Sequence, residues 1–393
     1  CSSDLKQIIK HILPIIAIAL VGCSGGAKSP GVTDTEILVG TTSDLSGPVK
    51  ELGGLITKGE QLYFDHINAQ GGVHGRQVKL LVEDAQYNPQ KTVVAVKKLI
   101  EKEQVFCLFA TLGSSHTEAV RSLLVEEKIP LIAPESQSGT MSDMSRPGSK
   151  YLFSTELGYN QQGRIMVDWI LKQNPDAKIG IIYQDDDYGQ NAVDGVMTAE
   201  EKHGITIQKE SFQRGTTDFT GQVSNVMKGD CDYVLIAAIV KEPIIIMKTA
   251  AALRYKPQFM GFGPTMDHRV ALAAGAAGEG FIAASVANMW SSDHPSAIEY
   301  REICEANNVP QKMRGMYHFY GFTAGQVLIE GLKRAGKTLT RKSLIKGMES
   351  IKNWEGTGLP SLTWGPNDRA GAGELMLIQI ENGVQTPITG WLK

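Results

Sequence analysis

INAQGGVHGR (67–76), followed by QVKLLVE (77–83) and DAQYNPQKTVVAVKKLI (84–100), places a helix end, a strand and a helix start in one short reach of chain. Gly71-Gly72 closes a helical pattern, because glycine reaches the left-handed conformation that ends helices at little steric cost. Gly75-Arg76 then turns into an apolar run of strand character. Asn88-Pro89 opens the next helix, with Asn as N-cap and Pro at the first helical position, where its missing N–H costs nothing. The reading is helix, strand, helix.

Working outward from that reach, the same alternation recurs. Strand-like runs stand at EILVGTT (36–42), VFCLFA (105–110), PLIAP (130–134) and AKIGIIY (177–183). More follow at DYVLIAA (232–238), PQFMGF (257–262) and GFIAAS (280–285). Helical patterns lie between them: Phe219, Val223, Val226 and Met227 fall on one face, with Asp218 as a cap. Short apolar strands separated by amphipathic helices predict α/β architecture, with parallel sheets covered on both faces. Two such series start at Glu36 and Ala177. Each opens strand, polar loop, helix: TTSDLSGP (41–48) in the first and QDDDYGQN (184–191) in the second.

A chain of 393 residues has a prior of about two to three domains and ample material for real cores. A net charge of −3 without a long basic run argues against nucleic acid, which needs a concentrated cationic face. Lys6 and Lys10 precede an apolar run (12–21) too short to span a bilayer but suited to a signal peptide, taken as residues 1–22. The run ends in Leu20-Val21-Gly22-Cys23, which looks like a bacterial lipobox with Cys23 as the lipidated residue. Cys107, Cys231 and Cys304 lie far apart without C-x-x-C spacing, so neither a zinc site nor a disulfide framework is indicated.

Several chemical motifs fail on context. GLKRAGKT (331–338) matches the P-loop letters, yet a P-loop must follow a strand. Here Ala324, Val327, Leu328, Gly331, Leu332 and Ala335 spell a helix that Gly336 ends, with Lys333, Arg334 and Lys337 near its negative end. No strand is followed by G-x-G-x-x-G, no G-x-S-x-G elbow exists, and no histidine falls in a metal-ligand spacing. Asp185-Asp186-Asp187 lacks the alternation and glycine of a calcium loop. No catalytic residue, cofactor or metal is expected. What survives is LGSSHT (112–117), small hydroxyl residues between a strand and a helix expected over 118–127. Ser114 and Ser115 either cap that helix or present its free N–H groups to a carboxylate, and the residues alone leave both open.

The turn set at 67–100 resembles the signature of the type I periplasmic binding proteins, specifically the branched-chain-amino-acid-binding family. LTWGPNDRAGAGELMLIQIENGVQTPITGW (362–391) resembles that family's closing strands, so the likeness covers 34–393. It implies two doubly wound parallel-sheet lobes joined by three crossover segments, near 154–157, 284–288 and 360–365. Lobe 1 is then 34–155 with 287–360, and lobe 2 is 156–286 with 361–393. The resemblance further implies that Ser114 grips a ligand carboxylate, with Ser115 beside it. PESQSGT (134–140) matches a loop that adds contacts through Ser136, Gln137 and Ser138. Tyr188-Gly189 matches an aromatic–glycine pair at the cleft edge.

There are departures from the family pattern. Where the amino-acid binders place an acid for the ligand ammonium, two residues past F-M-G, this chain has Gly263 beside Phe262. Family aromatics become Leu52 and Ile239-Val240. Glu156 or Glu242 is left as a replacement for the missing charge, since a buried ammonium without an anion is costly. The expectation is therefore an organic or acyl carboxylate rather than leucine, isoleucine or valine, with room beside Gly263 for a bulkier ligand. The function implied is a monomeric extracytoplasmic solute-binding lipoprotein of a bacterial ABC importer. It would sit in the periplasm or on the outer face of the cytoplasmic membrane, held by lipid alone and delivering to permease subunits. The rival reading is a ligand sensor of a signalling system with the same fold.

Overall fold

The computed structural model describes residues 29–393, so the signal peptide expected over 1–22 and the lipidation expected at Cys23 lie outside the described residues. The first lobe begins with β1 (Glu36–Ser43), α1 (Lys50–Ala69), β2 (Gln77–Asp84) and α2 (Pro89–Lys97). It continues through β3 (Cys107–Phe109), α3 (Ser114–Glu126), β4 (Leu131–Ile132) and β5 (Leu152–Phe153). The local reading at 67–100 holds in detail. Gly71, Gly72 and Gly75 all take positive φ, and Asn88 Oδ1 accepts the Lys91 N–H at 3.0 Å as the cap of α2.

The second lobe runs α4 (Tyr159–Gln173), β6 (Ile179–Gln184), α5 (Asp187–His203), β7 (Gln208–Phe212) and α6 (Thr220–Lys228). It goes on through β8 (Tyr233–Ala237), α7 (Lys241–Ala252), β9 (Gln258–Gly261), α8 (His268–Ala274) and β10 (Phe281–Ser285). The chain then returns to the first lobe with α9 (Pro295–Ala306), α10 (Met316–Ala335), α11 (Arg341–Glu349), β11 (Thr363–Gly365) and β12 (Asp368–Gly371). It ends in the second sheet with β13 (Met376–Glu381) and β14 (Val384–Pro387).

The first sheet has order β2-β1-β3-β4-β5 and is parallel throughout. The second has order β14-β13-β10-β9-β8-β6-β7, parallel from β7 to β10. Its far edge departs from the all-parallel expectation: β13 runs antiparallel to β10, and β14 folds back on β13. Asn382 and Gly383, both at positive φ, make the two-residue turn that such a hairpin requires.

Two further points correct the sequence reading. The last passage between lobes comes after Gly371, not near 360–365, because the β11–β12 hairpin is tied to the first lobe: Trp364 Nε1 donates to the Ser154 carbonyl at 2.7 Å, and Arg369 Nη2 to the Lys150 carbonyl at 3.0 Å. α3 starts at Ser114, a turn earlier than expected, because Gly113 at φ 103° supplies the entry bend.

α1 and α10 cross closely. A side chain at Gly59 would meet the His318 carbonyl, and one at Gly321 the Ile56 carbonyl, so the two glycines permit near backbone contact. That crossing brings the first turns of both helices to the mouth between the lobes.

Candidate functional site

In doubly wound sheets ligands bind outside the carboxyl ends of the strands, where the strand order reverses. The reversals here fall between β1 and β3 and between β6 and β8. A cavity lies at that place, between the lobes. From the first lobe come Leu52 and Ile56 of α1, Tyr87 after β2, Leu112, Gly113 and Ser114 after β3, Glu135 and Gln137 after β4, and Tyr317 and Tyr320 of α10. The second lobe gives Tyr159, Tyr188, Ile239, Gly263, Pro264 and Met266.

Ser114 does not cap its helix. The N-cap is Gly113, which has no side chain to offer, so the first amides of α3 lack intrahelical acceptors at the positive end of its dipole. The Ser114 hydroxyl instead pairs with the Ser136 hydroxyl at 2.8 Å and stands beside those amides. This is an anion-binding corner.

Across the cavity, three groups form a chain between lobes. Gln162 Nε2 donates to Gln137 Oε1 at 2.7 Å, and the Gly263 N–H donates to Gln162 Oε1 at 3.1 Å. A Cβ at 263 would run into the Gln137 amide. The space expected to be open beside Gly263 is therefore filled, and the structure overturns the inference of extra room there.

The wall is more aromatic than the departures suggested: Tyr87, Tyr159, Tyr188, Tyr317 and Tyr320 all face the cavity. Two of these hydroxyls are committed, Tyr188 donating to the Ala238 carbonyl at 3.3 Å and Tyr317 to the Pro264 carbonyl at 2.8 Å. At one rim the Arg214 guanidinium stacks 4.6 Å from the Tyr87 ring centroid and is paired with Asp186. The His116 ring lies 4.4 Å from that of Tyr87, and burial pulls its pKa down to about 4.

Buried acids stand out. Glu135 lines the cavity, and its carboxyl lies against that of Glu60 on α1. Neither Glu60 Oε2 nor Glu135 Oε1 receives a hydrogen bond from a donor among the described residues. Burial lifts Glu60 to about 8, and burial plus the neighbouring Glu60 and Glu156 charges raise Glu135 well above the carboxylate range. Glu156, buried behind the wall, is likewise lifted to about 8 by desolvation, eased by the Gln137 amide.

Of the residues singled out in the sequence, Leu52, Ser114, Gln137, Tyr188, Ile239 and Gly263 are brought together on the cavity wall. Ser136 stands behind Ser114 through their hydrogen bond. The others lie off the wall. Ser115 is half-buried on α3. Ser138 caps a short turn through the Thr140 N–H. Phe262 is fully buried and backs Tyr159 edge-on. Glu156 and Glu242 do not reach the cavity. Sequence reading passed over Glu135, although it stands in the quoted 134–140 loop, and over four of the tyrosines. Glu135, Tyr87 and Tyr159 follow the carboxyl ends of strands, whereas Tyr317 and Tyr320 stand in the first turns of α10.

The sequence profile described as "Periplasmic binding protein" matches residues 36–385. The chain belongs to the periplasmic binding protein family. This periplasmic binding protein is 24% identical over 320 residues to the leucine-, isoleucine-, valine-, threonine- and alanine-binding protein of Pseudomonas aeruginosa, covering 81% of this chain and 83% of that one. It is 23% identical over 358 residues to the Leu/Ile/Val-binding protein homolog 3 of Brucella melitensis, with 91% and 93% covered. Among solved structures it resembles a fatty acid ABC transporter substrate-binding protein from Thermomonospora curvata, at TM-score 0.83 and 25% identity over 93% and 94% of the two chains. A branched-chain amino acid ABC transporter protein from Thermus thermophilus with bound valine superposes at TM-score 0.85 and 19% identity, covering 92% and 97%. The named relatives are binding proteins rather than enzymes. Among the described residues no helix is long and apolar enough to cross a membrane.

Proposed function

We propose that the protein captures a small carboxylate-bearing molecule, an amino acid or an organic acid, between its lobes and presents it to an ABC permease. The observation behind this is the cavity itself, walled by both lobes, with the free amides of α3 and the Ser114 hydroxyl at one end. A ligand that touches both lobes favours the arrangement in which they meet, so binding and hinge closure are coupled. The relatives named for leucine, isoleucine and valine and the one named for fatty acids share a carboxylate, the group this corner suits.

A thermal-shift screen of amino acids beside aliphatic and aromatic acids tests the reading, because a ligand that binds only the native state raises apparent stability. Ser114→Ala should weaken the binding of any hit by roughly 1–2 kcal/mol, the worth of a hydrogen bond to a charged group. Ser145→Ala, at an exposed hydroxyl bonded to Asp143, should change nothing. Equal affinities for wild type and Ser114→Ala would remove that serine from the site.

Anchoring by lipid is part of the same proposal and rests on Leu20-Val21-Gly22-Cys23. Expressed in bacteria with its leader, the protein should fractionate with membranes, and Cys23→Ser should release it. Equal membrane retention of the two forms would refute the anchor.

A further inference from the structure

The first passage between the lobes is short and carries an acid. Ser154 still belongs to the first lobe: its N–H donates to the Arg369 carbonyl at 3.0 Å, and its own carbonyl accepts the Trp364 indole N–H at 2.7 Å. Tyr159 already opens α4 of the second lobe. Glu156 stands between them, only 3% exposed, with neither carboxyl oxygen hydrogen-bonded among the described residues. An ionised carboxylate there has neither water nor a cation to hold it, and such burial is costly.

Groups from both lobes shut the water out. Gln137, from the loop after β4, approaches the Glu156 carboxyl. Its Oε1 accepts from Gln162 Nε2 of α4 at 2.7 Å, and the same Nε2 donates to the Leu157 carbonyl at 2.9 Å. Next to this cover the Gly139 N–H of the first lobe donates to Asn191 Oδ1 of α5 at 2.8 Å. Glu156 is thus sealed where the two lobes meet, in the segment that must bend for them to part.

We infer that Glu156 is a proton-operated latch on closure: the lobes meet over its neutral form, and loss of its proton opens them. The inference rests on the hinge-closure reading above and adds what sets that equilibrium. Hydrated in open lobes, the carboxyl titrates near its ordinary 4.5; covered, it is held at about 8 by burial. The closed molecule therefore binds one more proton between those values, and closure weakens by up to roughly ten-fold per pH unit as pH rises through them. Acid favours capture and alkali favours release.

The titratable groups that face Glu156 are Glu135 of the loop after β4 and Tyr159 of α4, with Glu60 of α1 behind Glu135. Among the described residues no cation acts on any of the three carboxyls. Burial keeps Tyr159 protonated well past pH 8.5. Glu60 and Glu135 lie against each other on elements of the first lobe and move with it as one body, so their titration is not tied to the hinge.

Small-angle scattering and amide exchange on the ligand-free mature chain, at pH 6 and pH 8.5, test the latch. The radius of gyration should grow with pH. Protection of the Gly139 and Tyr317 N–H groups, bonded across the lobes to Asn191 and Asp267, should fall ten-fold or more after correction for intrinsic exchange. Both changes should reverse on acidification. In Glu156→Gln, an uncharged mimic of the acid, both readouts should keep their pH 6 values at pH 8.5. Glu60→Gln should leave the pH response in place, which separates a latch in the passage from general charging of buried acids. A wild type that ignores pH overturns the latch, as does a response that survives Glu156→Gln or vanishes in Glu60→Gln. Each of those outcomes leaves capture between the lobes standing, because the thermal-shift screen reads capture at a single pH.

Discussion

At the scale of single residues, burial without a charge partner sets the chemistry. Glu156 is held at about 8 by desolvation, so in the folded chain it keeps a proton that the unfolded chain gives up near 4.5. The native state then binds more protons than the unfolded state between those values, and this group's contribution to stability falls as pH rises from about 5 to 8. His116 acts in the opposite sense: folded near 4 against an ordinary 6.5, it costs stability below about pH 6.5 and nothing above. The difference between wild type and Glu156→Gln isolates the first effect. The amide should melt alike at pH 5 and be more stable by roughly 1–3 kcal/mol at pH 8.5, in line with the linkage arithmetic. A difference that does not grow with pH would mean that Glu156 is ionised in the fold. What sequence could show at this scale was uneven. Ser114 stood out by its place between a strand and a helix, where a hydroxyl either caps the helix or faces a ligand, and only the fold shows that Gly113 is the N-cap. Glu135 was not, because a glutamate in a loop is ordinarily solvated, and only tertiary packing against α1 reveals that it is buried.

At the scale of elements, local chemistry carried furthest. Asn88-Pro89 capped a helix, Gly336 ended one at φ 80°, and the strand before the P-loop letters was a helix, as their apolar spacing required. Asp218 was expected as a cap, but the N-cap is Phe219; Asp218 stands one residue earlier and accepts the Thr220 N–H at 2.9 Å. Elements with weak patterns escaped. β7 reads QKESF because it is an edge strand with half-open faces, and β5 is two residues long. The crossing of α1 and α10 was also invisible, since it depends on which glycines of two distant helices coincide. It makes a sharp prediction. Gly321→Ala pushes a methyl into the Ile56 carbonyl, and neither backbone can yield cheaply, so stability should fall by about 1–3 kcal/mol. Gly54→Ala, on the same α1 with open space around it, should instead gain up to about 1 kcal/mol from helix propensity. Denaturant melts of the two variants read this directly, and a neutral Gly321→Ala would mean that the helices stand further apart than their glycines permit.

At the scale of the whole molecule, the lobes are pinned around the cavity by different means. At one place Tyr317 N–H donates to Asp267 Oδ2 at 3.2 Å, while Arg269 Nη2 reaches the Arg314 carbonyl at 2.8 Å. This clasp is anchored on a fully buried carboxylate and lies between two helix starts, so it resists opening. Elsewhere around the cavity a long side chain adds a weaker contact: Arg214 of the second lobe donates Nη1 to the Tyr87 carbonyl of the first at 3.3 Å and lies over that ring. Such a cation–π contact with one hydrogen bond is worth on the order of 1 kcal/mol, enough to bias an equilibrium between open and closed lobes without fixing it. Arg214→Ala should therefore leave the fold intact, since Asp186 still caps α5 through the Tyr188 N–H, and should act on closure. For any acid or amino acid found to bind, the dissociation rate should rise roughly five-fold with little change in the association rate, because affinity differences within one interface are expressed mostly on release. The radius of gyration of the unliganded variant in small-angle scattering should grow relative to wild type, and saturating ligand should bring both to the same value. An unchanged release rate would show that Arg214 only decorates the rim, and would leave closure to the Asp267 clasp and the ligand.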